Sequence, residues 1–266
     1  MKDEAVFPLD DLTRTVRGLL EKYSRPDPGA WRLVRGLSDH AAKGTATLAP
    51  GWSAPQADLP ESFWPLLPWR FERRFVELKR IVDQQTIAPV LMCRFSCMTD
   101  GRALGLAAAL YRELDLAEWL TGATIVAVTA SIAEQRWANV IVRLGNDVVC
   151  SVEIGTGLPA GTVPVDRHEL IARRGVACDR VVDSQVPQSS VYALTASGTA
   201  QYTDTDAELF GLPPGDVSLV RAAYDALVNA GRLDAGRKQH CHLVGLVELA
   251  FDSNRNGRRL SAEGVC

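Results

Sequence analysis

The sequence predicts an α+β protein built around an open, largely antiparallel sheet with helices on one face. Alternating, β-branched segments fill the middle of the chain, and amphipathic helical segments stand before and after them. Runs of strands and runs of helices favour this class, since α/β proteins alternate the two. We predict that residues 1–68 form a short helical and proline-rich segment and that residues 69–266 form the sheet domain.

The N-terminal segment differs from the rest of the chain in its residue pattern and proline content. An apolar stripe from Phe7 to Leu20 predicts one amphipathic helix, which ends near Pro26. We predict a second short helix over residues 30–42. The stretch after it, TATLAPGWSAPQADLPESFWPLLPW, is rich in proline and predicts an irregular connector that packs on a surface.

The sheet domain begins with a regular pattern. Apolar residues from Phe71 to Val82 recur at helical spacing and predict a helix that ends before Pro89. Two strands that alternate around Gly145-Asn146 give the clearest hairpin signal. The other predicted elements are a strand at VLMCRFSCM, a helix at 103–120, a strand at ATIVAVTA, a second hairpin at HELIARRGVACDRVVDS, a strand at SSVYALTA, and closing helices at DVSLVRAAYDALVNAG and HCHLVGLVELAFDSNRNG.

Composition and charge argue against several classes of function. The net charge of −3, from 29 basic and 32 acidic residues, gives no electrostatic reason to expect nucleic acid or an anionic membrane as a partner. MKDEAVFPLDDL lacks the order of a signal peptide, and no run approaches the roughly 18 apolar residues of a membrane span. The six cysteines show no CxxC spacing, so we expect reduced thiols and a cytoplasmic protein.

Four stretches with a shared order and spacing carry a resemblance to a known family. They are RFERRFVELKRIVDQQTIAPV, LDLAEWLTG, ANVIVRLGNDVVCSVEIG, and YDALVNAGR followed by LVGLVELAFDSNRNGRRL. Together they resemble the C-terminal domain of the Gfo/Idh/MocA oxidoreductases, the relatives of glucose–fructose oxidoreductase and inositol dehydrogenase, from Leu67 to Glu263. The resemblance implies a sheet domain that holds substrate and subunit contacts, beside a Rossmann domain that holds NAD or NADP.

The N-terminal segment departs from that family. A Rossmann domain needs a glycine-rich turn so that the backbone can approach a pyrophosphate at a helix N-terminus. The glycines before residue 68 never reach the GxGxxG spacing, and the family's Glu-Lys-Pro motif has no counterpart because the chain contains no Lys-Pro. We therefore expect the Rossmann domain to be missing and the isolated chain to hold no cofactor. NAD or NADP would enter only if a partner supplied the nucleotide domain.

The family's catalytic histidine falls on Arg112, and the aspartate of its Asp-x-x-x-His motif falls on Ala108. Oxidation of a hydroxyl group needs a base whose pKa lies near neutral, and arginine stays protonated. Arginine can instead hold a carboxylate or phosphate through two hydrogen bonds. The candidate site residues are Arg112, Asp115 and Tyr111. The alternatives are a surface ion pair of Arg112 with Glu113 or Asp115, an intrahelical role for Asp115, and simple packing for Tyr111.

Other reactive side chains give weaker signals. His240-Cys241-His242 has no second cluster to complete a metal site, so we predict capping or surface residues and no metal. Cys93 and Cys97 share a strand face but lie too far apart along the strand to form a bridge. Cys266 has no base nearby in the sequence.

Three functions stay open at this point. The first is a non-redox subunit that binds a ligand or a partner, and the second is a sugar or cyclitol oxidoreductase subunit that borrows a Rossmann domain. The third is an isomerase or lyase acting on a sugar acid, with Arg112 holding the carboxylate. We expect a homodimer, or a complex with a Rossmann-containing relative, through the sheet face, and a small anionic or sugar-like ligand.

Overall fold

The computed structural model describes residues 9–36, 45–102, 104–179, 190–203, 211–229 and 231–265. The predicted α+β class is confirmed. Five α-helices lie in the described residues: α1 (Leu9–Lys22), α2 (Arg73–Asp83), α3 (Leu106–Thr121), α4 (Pro214–Val228) and α5 (Gly231–Asn256). None of the helices in these ranges is both long enough and apolar enough to cross a membrane.

The same described ranges contain twelve strands in two sheets. The first three are β1 (Trp31–Leu33), β2 (Ala46–Pro50) and β3 (Phe63–Leu66). The other nine are β4 (Val90–Met98), β5 (Ile125–Ala133), β6 (Trp137–Leu144), β7 (Val149–Gly155), β8 (Val165–Ala172), β9 (Gly175–Cys178), β10 (Ser190–Thr195), β11 (Gly198–Thr203) and β12 (Leu260–Ser261).

The chain divides into two compact units. The first unit is Met1–Glu72 with Ala207–Cys241, and the second is Arg73–Asp206 with His242–Cys266. The division at Glu72 lies close to the predicted start of the sheet domain. The segment from Ala207 to Cys241, which the sequence analysis assigned to the sheet domain, belongs to the first unit.

The first unit contains a three-stranded parallel sheet in the order β1-β2-β3, which the sequence analysis missed. Trp31–Leu33 is a strand, so the helix predicted over residues 30–42 is wrong there, and residues 37–42 lie outside the described residues. The predicted connector contributes β2 and β3. Their prolines hid them, because proline is rare inside strands, but Pro65 is tolerated on β3 at the edge of the sheet.

Helix α1 packs its apolar stripe into the main core of the first unit. Leu12, Val16 and Leu20 are buried there together with Leu33 of β1 and Leu219 of α4. The helix also reaches the outer edge of β1, because Thr13 Oγ1 accepts the hydrogen bond of the Leu33 backbone N–H at 3.0 Å.

The second unit is formed around a nine-stranded sheet in the order β11-β10-β9-β8-β4-β7-β6-β5-β12. All neighbouring strands run antiparallel except β4 and β7, which are parallel, so the predicted open, largely antiparallel sheet is confirmed. The two predicted hairpins are the pairs β6–β7 and β8–β9. Helix α3 ends at Thr121 and is capped by Gly122, whose φ of 70° gives the left-handed cap that the sequence predicts.

The two faces of the large sheet differ. Helices α2 and α3 pack on one face, and there Cys93, Phe95 and Cys97 of β4 are buried while Arg94 points to the open face. Cys93, Cys97, Cys150 and Cys178 are buried and are not disulfide-bonded. Cys241 is disulfide-bonded, so the expectation of six reduced thiols is wrong for it. Spacing in the sequence gave no warning, because disulfide pairing depends on distance in the fold.

Candidate functional site

A cluster of charged side chains lies under the helix-covered face of the second unit. Alternation along β8 directs Asp166 and His168 toward the helices, and α3 supplies two adjacent residues from its buried length. We call this group the buried charge cluster. Its members are Arg74 of α2, Arg112 and Glu113 of α3, Asp166 and His168 of β8, and Asp179 just after β9.

His168 stands at the centre of the cluster with no solvent exposure. Its Nδ1 lies 2.7 Å from Asp179 Oδ2, and its Nε2 lies 2.9 Å from Glu113 Oε2. Burial alone lowers the pKa of His168, but the charges of Asp179 and Glu113 outweigh burial and raise the pKa to about 9. The imidazole is therefore protonated at neutral pH, and each ring nitrogen donates to a carboxylate.

Two guanidinium groups complete the cluster around Asp166. Arg112 Nη2 donates to Asp166 Oδ1 at 2.5 Å, and Arg74 Nη2 donates to Asp166 Oδ2 at 2.5 Å. Burial raises the pKa of Asp166, but the charges of Arg112 and Arg74 outweigh it and hold the pKa well below its usual range. Arg112 Nε also donates to Glu113 Oε1 at 2.7 Å, and Arg74 Nη1 donates to Asp179 Oδ2 at 3.0 Å. Three cations thus face three carboxylates.

Solvent reaches the cluster mainly at Asp166. The Asp166 side chain is 27% exposed, whereas the side chains of Glu113 and Asp179 are fully buried. The cluster therefore has an inner part around His168 and an outer part around Asp166.

The sequence-predicted residues lie in or beside this cluster. Arg112 is a member, and it pairs with Glu113, as the alternative interpretation allowed, but it is buried and not on the surface. Tyr111 and Asp115 are buried in the same helix. His168 and Asp166 were not among the predicted site residues, although two polar residues at inward positions of an alternating strand were an available signal.

Three atoms in the cluster have the spacing of metal ligands. The ligand atoms of Cys97, Glu113 and Asp166 all lie within 4.8 Å of one another. Burial raises the pKa of the Cys97 thiol to about 12, so the sulfur stays protonated. Both carboxylates already accept hydrogen bonds from Arg112. These donors do not fit a cation, because a guanidinium group already supplies the positive charge.

The histidines near Cys241 have separate partners. His240 Nε2 lies 2.9 Å from the main-chain oxygen of Gln56, and His242 Nε2 lies 2.9 Å from Glu118 Oε1. The two imidazole rings therefore stabilise separate local contacts, His240 with Gln56 and His242 with Glu118.

The open face of the large sheet carries a shallow polar pocket and an apolar strip. Arg94 Nη1 lies 3.6 Å from Glu169 Oε2, and Arg167 pairs with the same carboxylate. Exposed apolar side chains lie on β4, β6 and β7 of the same sheet. The pocket is lined by residues that include Arg94, Ser96, Ser151, Glu153, Arg167 and Glu169, and the exposed apolar residues include Met92, Ile141 and Val149.

Comparison with known proteins gives matches in structure alone. No family model matches the sequence, and no curated protein matches it. An oxidoreductase from Agrobacterium radiobacter in complex with NAD+, L-tartaric acid and magnesium has a TM-score of 0.62 at 14% identity, covering 98% of this chain and 80% of that one. Levoglucosan dehydrogenase in complex with NADH and L-sorbose has a TM-score of 0.67 at 11% identity, and the match covers 94% of this chain and 87% of that one. Aldose-aldose oxidoreductase from Caulobacter crescentus, complexed with glycerol, has a TM-score of 0.66 at 14% identity, and the match covers 93% of this chain and 88% of that one.

These matches correct one expectation about cofactors. The prediction that the isolated chain holds none is contradicted, because structures that match nearly the whole chain hold NAD+ or NADH. The matches also span the first unit, so the predicted loss of the Rossmann domain is not shown.

The turns of the first unit test the fit of a dinucleotide. β2 and β3 lead into the short 3-10 helices Gly51–Ser53 and Pro68–Phe71. Neither connection is the glycine-rich turn into an α-helix that cradles a pyrophosphate, and the turn after β1 continues beyond the described residues. The described turns therefore do not fit the pyrophosphate of a dinucleotide. The chain has an oxidoreductase-like fold whose neighbours include sugar dehydrogenases.

Proposed function

We propose that the protein is an oxidoreductase-like subunit that binds a small anionic or sugar-like ligand and a partner, without transferring hydride itself. One observation supports this proposal above the others. Arg112 stands where the resembling family has its catalytic histidine, and it is held in ion pairs with Glu113 and Asp166.

The acid–base chemistry of the cluster supports a binding role. A sugar hydroxyl loses a proton as hydride leaves, which calls for a base whose pKa lies near neutral. His168 has a pKa of about 9, is fully buried and already donates from both ring nitrogens. The charges of Arg112 and Arg74 hold the pKa of Asp166 well below its usual range, so its carboxylate is a weak base at neutral pH.

A partner for the subunit is proposed at the open face of the large sheet. That face presents exposed Ile141 and Val149 beside the charged pocket around Glu169. Exposed apolar side chains beside charged ones are common at protein interfaces. We propose a second copy of the chain, or a Rossmann-containing relative, as the partner there.

The test is a hydride-transfer assay on the purified full chain. Wild type is incubated with NAD+ or NADP+ and a panel of aldoses and polyols, and reduced nicotinamide is followed by absorbance. Arg112→His restores the histidine of the family, and Arg112→Lys keeps the charge as a matched control. We expect no turnover by wild type or Arg112→Lys. Reduction of NAD+ or NADP+ by wild type would refute the proposal.

A second candidate is an NAD- or NADP-dependent sugar oxidoreductase subunit that works with a nucleotide domain from another chain. The parallel sheet of the first unit and the NAD-holding structural neighbours favour it. Calorimetric titration with NADH, alone and with a Rossmann-containing partner, separates the candidates. Turnover that appears only on mixing supports the second candidate. The third function, an isomerase or lyase on a sugar acid, predicts cofactor-free turnover that Arg112→Ala removes.

A further inference from the structure

The outer part of the buried charge cluster has the geometry of an occupied carboxylate site. Asp166 Oδ1 accepts from Arg112 Nη2 at 2.5 Å, and Oδ2 accepts from Arg74 Nη2 at 2.5 Å and from Arg112 Nη1 at 3.3 Å. Two guanidinium groups from different helices therefore hold one carboxylate by both of its oxygens. Arginine side chains bind the carboxylates of ligands in the same way.

The charges around Asp166 leave a place for one monoanion. Among the ion pairs described above, three cations would face two carboxylates if Asp166 were removed. His168 counts among the cations because both of its ring nitrogens lie against carboxylate oxygens, at 2.7 and 2.9 Å. An uncompensated buried cation is unfavourable, so the remaining groups favour a single negative charge between the two guanidinium groups. The cations are Arg74, Arg112 and His168, and the carboxylates are Glu113 and Asp179.

Asp166 is the member of the buried charge cluster whose side chain can rotate out of the cluster. It is the second residue of β8 and follows a loop whose Val163 is 69% exposed. Its strand pairing with Cys97 uses the main chain, so its side chain can rotate toward water without loss of the pairing. The inner carboxylates of Glu113 and Asp179 are fully buried and have no such route.

We propose that Arg74 and Arg112 form a binding site for the carboxylate group of a small ligand, and that Asp166 occupies this site in its absence. The inference rests on the proposed ligand-binding function and names the ligand class, a hydroxy acid or sugar acid. The ligand carboxylate replaces the Asp166 carboxylate one for one, so the charge balance of the cluster is unchanged. A phosphate dianion would add a second charge, so a carboxylate fits better.

The experiment removes Asp166 and supplies a carboxylate from solution. In Asp166→Ala, loss of one partner of a buried ion pair lowers the melting temperature of the full chain by roughly 6 to 20 °C. Titration with sodium formate restores most of this loss along a saturable curve, whereas sodium chloride at the same ionic strength does not. Formate binds the variant at least about 10-fold more tightly than wild type, because in wild type only the fraction with Asp166 rotated outward is competent.

Two further variants make the result specific. Asp147→Ala removes an exposed carboxylate that pairs with Arg143, and we expect no formate dependence from it. Asp166→Ala combined with Arg112→Ala removes half of the site and should lose the saturable response. If Asp166→Ala does not fold, Asp166→Ser refolded with formate or chloride gives the same comparison.

Three outcomes would overturn the inference: no saturable response to formate, an equal response to chloride, or a response that survives loss of Arg112. Failure of the proposed function is separate from these. Hydride transfer by wild type would refute that function, while the formate response tests the carboxylate site alone.

Discussion

Raising the pH through the titration range of His168 should destabilise the second unit. The pKa of His168 rises from 6.5 to about 9 on folding. One pKa unit corresponds to about 1.4 kcal/mol, so the proton held by the folded state contributes on the order of 3 kcal/mol to the free energy of unfolding. Because the folded pKa lies above the unfolded one, this contribution is fully present below pH 6.5 and is lost as the pH rises to about 9.

Urea denaturation across this pH window measures the effect. The free energy of unfolding should fall steadily between pH 6.5 and about 9 in wild type. His168→Gln, which cannot carry the proton, should be less stable at the acidic end and show a much flatter profile. The variant isolates the contribution of His168, because the buried thiol of Cys97, whose pKa burial raises to about 12, adds the same slope near the alkaline end in both proteins. A flat wild-type profile, or an equal slope in His168→Gln, would refute the reasoning.

The remaining predictions concern packing and assembly. Arg237→Lys breaks hydrogen bonds to three main-chain oxygens of the 59–63 segment and should lower the unfolding free energy of the first unit by about 1 to 3 kcal/mol, seen as faster limited proteolysis there. Leu114→Ala empties a fully buried position of α3 and should cost about 2 to 5 kcal/mol in urea denaturation, whereas Leu194→Ala, at an exposed position, should cost little. Ile141→Glu should shift wild-type oligomers toward monomers in light scattering if the open sheet face is an interface, and an unchanged mass would exclude that face.

The large sheet was predictable because its signals are local. The alternation in β6 and β7 around Gly145 and the helical period of α3 ending at Gly122 can each be read within one short window. The parallel strands of the first unit were not predictable in this way. Strand β1 is only three residues long and pairs with β2 across an intervening segment, so no periodic pattern develops.

The buried charge cluster was only partly visible for the same reason. Arg112 and Glu113 are adjacent, and their pairing was among the alternatives considered from sequence. Arg74 meets Asp166 and Asp179 across 92 and 105 residues of sequence. No spacing rule connects such positions, because their proximity is created by the packing of α2 against the sheet.

The hydroxyl group of Thr13 has a consequence for solubility. β1 lies at the edge of its sheet among the described strands, and an edge strand with unpaired N–H groups is a template for strands of other molecules. By accepting the Leu33 N–H, Thr13 removes one of the donors that such a strand would use. Thr13→Val, of similar shape but without the acceptor, should therefore promote aggregation on storage more than it lowers the stability of the fold.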